Sequence, residues 1–222
     1  MAILAIDTCL QSCGVAILAG EQVTSHKEVR ERGHAERLAP IVSEVLSDAG
    51  VTLRDVKQIA VTRGPGSFTG VRVGLAFARG LAVGRNLPVT GITTLQALAC
   101  GLKGRTADKT VLVDARRGQV YGQVFSHDNL AKCDPFILAT EEAAERLPSP
   151  GPLDVHHMAG TGVPLVYPDL AGEERWQGHQ PDPVDIAYLA QVAPMSEVPP
   201  SALYLRAADA KPAKKILITE AL

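Results

Sequence analysis

Few residues in this chain have the type and spacing that catalysis or ligand binding needs. Ser67 sits in the run VTRGPGSFTGVRVG, residues 61–74, without the G-x-S-x-G elbow that exposes a hydrolase nucleophile. His34 and Glu36 precede a long apolar-periodic segment with no second ligand at matching spacing, and read as a solvated helix start. His156 and His157 are adjacent, so on a strand they point to opposite faces and cannot chelate one ion together. Cys9 and Cys13 have C-x-x-x-C spacing, which is not that of a zinc or thioredoxin motif, and Cys100 and Cys133 stand alone. All four read as small buried thiols. Asp7 ends the apolar run AILAIDT on the turn Asp7-Thr8-Cys9-Leu10. That turn lacks the glycine that lets backbone amides hold a phosphate, so Asp7 is expected to cap its own turn. Gly160-Thr161-Gly162 is a glycine turn that could approach a nucleotide, a weak signal by itself. Arg63, Arg72, Arg79 and Arg85 cluster around the 61–74 run. They could meet phosphates or acidic side chains, and read mostly as surface or ion-paired groups.

The elements that must position these groups alternate between strand and helix. Residues 2–8 and 14–19 are apolar runs joined by a polar turn, a β-hairpin, and a third strand covers 23–29. Leu38, Ile41, Val42, Val45, Leu46 and Ala49 recur at helical spacing before Gly50, where a C-terminal glycine cap belongs. Thr52 starts a short helical turn, and residues 59–62 form a buried strand. Next, Gly64-Pro65-Gly66 lets the backbone turn through conformations closed to residues with a Cβ. Ser67-Phe68-Thr69 then cap a helix opening at Gly70, with Ser67 or Thr69 accepting from the first-turn amides. That helix, residues 70–84, is apolar nearly all round. Val71, Leu75, Ala78 and Ala82 share one face, Val73, Phe77, Leu81 and Gly84 another, and Arg72 and Arg79 mark a narrow polar strip. It is either a central helix buried on all sides or one with its own sheet on one face and a partner on the other.

The polar segment GLKGRTADK, residues 101–109, marks the boundary between two halves. The second half opens on TVLVDARRGQVYGQVF, a hairpin turning at Arg116-Arg117-Gly118, and continues with helices over 141–146 and in DIAYLAQVA. With 222 residues, 46% hydrophobic and 21% charged, the chain is globular rather than disordered. Its net charge of −2 gives no global attraction to RNA or membranes, and 4% aromatics argue against a stacking platform for single-stranded nucleic acid. The start MAILAIDTCLQSCGVAILAG has no basic n-region, and polar residues interrupt its apolar run. It is read as neither a signal peptide nor a membrane span, and the protein as cytoplasmic.

The runs AILAIDTCLQSCGVAIL and RGPGSFTGVRVGLAFARGLA resemble the signature of the TsaB (YeaZ) family, the non-catalytic paralogue of the tRNA threonylcarbamoyl-transferase TsaD. The resemblance is looser over VDARRGQVYGQVF, AGTGV and YLRAADAK, and faint over 139–156. It implies an α/β, actin-like (ASKHA, ribonuclease-H-like) fold with two small subdomains. Residues 1–104 would carry the partner-binding helices, and 105–222 the second subdomain with a C-terminal tail. Members of the TsaD branch carry an H-x-x-x-H metal pair after the strand that follows the GPG turn. Here Thr94 and Leu98 stand in those places, and neither a leucine nor a single threonine hydroxyl holds a divalent ion. In actin-like ATPases a strand-end aspartate organises Mg²⁺ and phosphate, so Asp7, Thr8, Gly160 and Gly162 would mark a vestigial nucleotide site.

The implied function is that of a scaffold subunit in tRNA threonylcarbamoyladenosine formation beside the anticodon. It would hold TsaD in its working form, with the ATPase TsaE, and reach tRNA through that complex. It would have no catalytic residue, metal or cofactor of its own, ATP, Mg²⁺ and a metal belonging to the partner complex. Leu38, Ile41, Val42 and Val45 on the first helix, with Val71, Leu75, Ala78 and Ala82 on the second, are expected to touch TsaD or, in a homodimer, a second copy. The signature turn itself comprises Arg63, Gly64, Pro65, Gly66, Ser67, Phe68, Thr69 and Gly70. The alternatives are a stand-alone actin-like ATPase or kinase, disfavoured by the missing glycine after Asp7, and a glycoprotease-like peptidase acting on its paralogue, disfavoured by the missing triad and metal pair.

Overall fold

Strand β1 (Ala2–Asp7) is buried along its whole length, the pattern of a central strand covered on both faces. A computed structural model describes residues 1–102, 107–147, 157–170, 180–194 and 198–206. Around β1 stand β2 (Ser12–Ala19), β3 (Gln22–Val29), β4 (Val56–Thr62) and β5 (Val89–Ile92) in the order β3-β2-β1-β4-β5. The first three are antiparallel neighbours, whereas β4 and β5 run parallel to β1. Parallel neighbours need crossovers, and α1 (His34–Asp48) and α2 (Phe68–Arg85) supply them. Alternation along β1 decides which side chain goes where. Leu4 and Ile6 pack with both helices on one face, while Ile3 and Ala5 meet α6 (Pro183–Val192) on the other.

The second sheet is built from β6 (Lys109–Arg116), β7 (Gln119–Phe125), β8 (Phe136–Ala139) and β9 (His157–Ala159), in the order β8-β7-β6-β9. Its pairings, two antiparallel and one parallel, repeat those of β3-β2-β1-β4. The molecule is therefore one α/β unit used twice, in keeping with the actin-like expectation. Helix α3 (Thr94–Gly101) leads into this unit and packs on β6 and β7. Its N-terminus is a complete capping box between Thr93 and Gln96. Helices α4 (Thr140–Arg146) and α5 (Val163–Val166) cover the far face through Ala143, Val163 and Val166. Helix α6, late in the chain, returns to the first sheet and also touches α3, so the units share packed helices. Strands β8 and β9 have no counterpart in the sequence reading. At four and three residues, they are too short for an alternating pattern to stand out.

Leu38, Ile41, Val42 and Val45 of α1, and Val71, Leu75, Ala78 and Ala82 of α2, all lie in the core with β1, β2 and β4. This corrects their expected role as partner contacts. A side chain packed on its own sheet has no surface left to give. Helix α2 has one face on the sheet and one in solvent. Outward lie Arg72, Ala76, Arg79, Gly80, Val83 and Gly84, with Val73, Phe77 and Leu81 half-buried beside them, and Val83 is 85% exposed. The two apolar faces were distinguishable by spacing, but not which of them the sheet would take.

Leu75→Glu should therefore unfold the isolated chain, because the carboxylate would lie in the core without a partner. A destabilisation of about 3 kcal/mol or more is expected, read as loss of the cooperative melt by circular dichroism. A folded variant with an unchanged melting temperature would contradict the placement of this face.

Candidate functional site

The signature turn is held close against the β1–β2 turn. The Ser67 amide donates to the Cys9 carbonyl at 2.7 Å, and the Thr8 hydroxyl donates to the Gly70 carbonyl at 2.7 Å. Glycines make this approach sterically feasible. A Cβ on Gly66 would overlap the Cys9 carbonyl, one on Gly70 would overlap the Thr8 carbonyl oxygen, and one on Gly74 would come within 2.6 Å of the Thr8 hydroxyl. Only Gly64 needs the left-handed backbone expected of this turn, with φ 96°. Gly66 and Gly70 are required for closeness instead. Ser67, and not Thr69, is the cap, accepting from the Gly70 amide at 3.3 Å, and the helix opens two residues earlier than expected, at Phe68. Pro65 and Phe68 stand on the cleft side of the turn, with Thr69 exposed next to Phe68, while the Arg63 amide continues the strand pairing to Ile92.

Asp7 is fully enclosed beneath this junction. Its carboxylate accepts from the Thr62 hydroxyl at 2.6 Å, the Ser12 hydroxyl at 3.1 Å and the Cys9 amide at 3.2 Å. The last bond is the turn cap expected from the sequence. Burial pushes the Asp7 carboxyl above the ordinary 3.8, against the lowering effect of those bonds. Burial likewise pushes the Cys9 thiol up to about 12 and the Cys13 thiol to about 11, which makes both poor nucleophiles. Cys100 is only half-buried and Cys133 is exposed, so the reading of four buried thiols holds for two. The ring of His34, expected in solvent, has its Nε2 buried, with no hydrogen-bond partner among the described residues. His157 opens β9, and His156 lies outside the described residues.

Gly160 and Gly162 have their nearest neighbours in their own unit and on α3, not at Asp7 or Thr8. They pack on β6, where a Cβ on Gly160 (φ 103°) would overlap the Leu112 carbonyl and the Gly162 amide donates to that same oxygen at 2.8 Å. Between them, the Thr161 hydroxyl accepts from the Asp114 amide at 3.0 Å. Asp7 is thus enclosed in the first unit, while both glycines are engaged in packing within the second. Among the described residues, no group of three or more His, Cys, Asp or Glu side chains is arranged to hold a metal. Thr94 and Leu98 are both buried on α3.

The open feature is a cleft of about 1110 Å³ between the two units. One wall is Leu10, Gln11, Glu31, Arg32 and the turn from Pro65 to Arg72. The other is Asp114 to Arg117 with Tyr121 and Thr161. A strap over residues 198–206, unread in the sequence beyond a C-terminal tail, closes one end with Leu203, Tyr204 and Arg206. Its main chain is tied to the signature, the Leu203 amide donating to the Arg63 carbonyl at 2.7 Å. Arg79 donates to the Pro200 carbonyl at 2.6 Å, Arg63 to the Ser201 carbonyl at 3.5 Å, and Arg72 to the Tyr204 hydroxyl at 3.0 Å. At its far end Arg206 donates to the Arg116 carbonyl at 3.3 Å and to Gln119. Three of the four signature arginines therefore hold a strap, and Arg85 donates to the Arg54 carbonyl at 3.4 Å.

Comparison with known proteins agrees with this geometry. Residues 18–165 match the family model described as TsaD, tRNA N6-adenosine threonylcarbamoyltransferase. An Escherichia coli protein named as the tRNA threonylcarbamoyladenosine biosynthesis protein TsaB is 42% identical over 130 residues, 58% of this chain and 56% of that one. The chain therefore aligns with just over half the length of that relative. A solved Pseudomonas aeruginosa structure, described as an uncharacterized protein with similarity to peptidase YeaZ, superposes with TM-score 0.78 at 30% identity, covering 92% of this chain and 99% of that one. A second, described as YeaZ from Pseudomonas aeruginosa, superposes with TM-score 0.71 at 31% identity, covering 86% and 90%. No helix among the described residues is long and apolar enough to cross a membrane.

Two outcomes follow from the junction. Gly70→Ala should cost about 3 kcal/mol of stability, since the Thr8 main chain must move. Gly80→Ala on the same helix, with nothing within 4 Å of its Cβ, should be neutral or stabilising by up to about 1 kcal/mol. Equal effects in urea unfolding would refute the close-approach account. For Asp7, a folded-state pKa above the unfolded value contributes stability at low pH that is lost as pH rises through the folded value. Asp7→Asn removes that loss, so its melting temperature relative to wild type should climb as pH increases from about 3.8. A gap that shrinks with rising pH would show the carboxylate to be stabilising when charged.

Proposed function

Because the chain belongs to the TsaB (YeaZ) family, we propose that it is a non-catalytic subunit of the machinery that makes threonylcarbamoyladenosine in tRNA. In this reading it pairs with TsaD, holds it in its working form, and is cycled with it by TsaE. Transfer of the threonylcarbamoyl group takes place on the partner. Alone, the chain pairs with a second copy through the same surface.

The observation that carries this reading is the outward face of α2. Ala76, Gly80 and Gly84 fall at i, i+4 and i+8, with Val83 exposed and Phe77 half-buried beside them. Small residues at that spacing make a shallow groove where a second helix can come close, and the flanking apolar groups would seal it. The outward residues of α1 include Ala39, Pro40 and Ser43 as well as the acidic Glu36, Glu44 and Asp48. The enclosure of Asp7 and the use of Gly160 and Gly162 in packing favour a subunit without nucleotide chemistry of its own. The shared topology of the two paralogues would let a pair of copies imitate the heterodimer.

Val83→Glu tests the assignment, since a side chain already 85% exposed can be changed without touching the core. A carboxylate at the centre of a desolvated interface should cost roughly 2 kcal/mol or more, about thirtyfold in affinity. Capture of the same organism's TsaD, and tRNA modification by the reconstituted complex, should fall accordingly while the melting temperature stays at the wild-type value. Wild-type capture by this variant would rule out α2's outer face as the interface.

A further inference from the structure

The cleft between the units has no assigned occupant, and its walls have a distinct chemistry. Five arginines line it against two carboxylates, although the whole chain carries a net charge of −2. At its mouth Phe68 is 59% exposed. The ring is nonetheless fixed: the Arg72 guanidinium lies 3.6 Å from its centroid, and the Tyr204 ring packs at 5.8 Å. Opposite stands the β6–β7 turn, where Arg116 and Arg117 adopt φ 62° and 57°. Left-handed backbone at two successive residues is normally left to Asn and Gly. Arg116 also meets the Asp114 carboxylate at 3.1 Å, with its side chain 76% exposed, an exposed pair that a phosphate can compete with. Left-handed backbone at the rim of a cleft is the kind of outlier that marks a working surface.

We propose that this cleft binds single-stranded RNA, with a base stacked on the shelf of Phe68, Arg72 and Tyr204 and the adjoining phosphates on the Arg116–Arg117 turn. Aromatic and guanidinium planes are what unstacked bases rest on, and arginine forks are matched to phosphate oxygens. An acidic peptide would satisfy the arginines but leave the aromatic shelf unused. A volume of about 1110 Å³ has room for a base together with its adjoining phosphates. Arg206 reinforces the site by tying the strap to the turn through the Arg116 carbonyl. The proposal rests on the cleft alone and not on the pairing through α2.

The test uses the full chain and a fluorescently labelled, 5′-phosphorylated tetra-adenylate RNA, followed by anisotropy at several salt concentrations. Competitors are ATP·Mg²⁺, inorganic tripolyphosphate and a polyglutamate peptide. Saturable RNA binding is expected, weakened roughly tenfold or more by Phe68→Leu. The double variant Arg116→Gln/Arg117→Gln should weaken it similarly and flatten the log-log salt dependence by about 1.4, as for two lost phosphate contacts. Arg116→Lys/Arg117→Lys should restore much of that slope. Melting temperature and TsaD capture should be unchanged in the double variants, which separates failure here from failure of the scaffold reading. Absence of saturable binding, full competition by ATP, tripolyphosphate or polyglutamate at equal concentration, or wild-type binding by Phe68→Leu would each overturn the proposal.

Discussion

The docking of the α2 N-terminus on the β1–β2 turn is the constraint from which the rest of the first unit follows. Two hydrogen bonds of 2.7 Å, one of them from the Thr8 hydroxyl, and the glycines at 66, 70 and 74 bring the main chains of 8–9 and 66–74 close together. Because that contact lies over the end of β1, Asp7 is sealed from solvent and its oxygens are satisfied by Thr62, Ser12 and the Cys9 amide. The same contact fixes how α2 is rotated about its axis. Once Gly70 and Gly74 face Thr8, Val71, Leu75, Ala78 and Ala82 must face the sheet, and Ala76, Gly80 and Val83 must face away. One close approach thus encloses the strand-end aspartate and presents a helix face to solvent.

The second unit uses the same device in a weaker form. Gly160 and Gly162 bring the turn after β9 onto the β6 main chain at Leu112, much as Gly66 and Gly70 bring α2 onto the end of β1. Thr161, held between them, fixes the start of the Asp114–Arg117 turn through the Asp114 amide. The two rigid corners face each other across the cleft. Arginine carries the strap that spans them: Arg63, Arg72 and Arg79 hold it on one side, and Arg206 reaches the turn on the other. Most of these bonds go to main-chain carbonyls. A guanidinium can make them while leaving other donors of its fork available.

Much of the first unit was legible because its signals are local. The apolar strand runs, the periodic α1, the Asp7 turn cap and the Ser67 helix cap all depend on neighbours a few residues apart. The rotation of α2 was not legible, because both its faces are apolar and only a contact to Thr8, 62 residues before Gly70, selects between them. The glycines of the signature were assigned to turn geometry, yet close approach leaves no mark in sequence that differs from conformational need. The strap was missed for a related reason. Its residues have no period, and its partners Arg63, Arg72 and Arg79 lie more than 120 residues earlier. Of the cleft's arginines, Arg116 and Arg117 read as a hairpin turn, Arg206 as part of a tail and Arg72 as a surface or ion-paired group, and the fold is what places them together.

Charge shows the same difference between chain and site. A net charge of −2 describes the field at distances well beyond the roughly 8–10 Å over which salt screens exposed groups. Within that range a ligand meets the local arrangement alone, and in the cleft that arrangement is five guanidinium groups against two carboxylates. The scarcity of aromatics is likewise a property of the average. A single phenylalanine, 59% exposed yet packed with an arginine and a tyrosine, has already lost part of the side-chain freedom that stacking would otherwise cost. Composition therefore excludes a protein that coats nucleic acid along its whole surface, and places no bound on one rigid shelf beside one cationic turn.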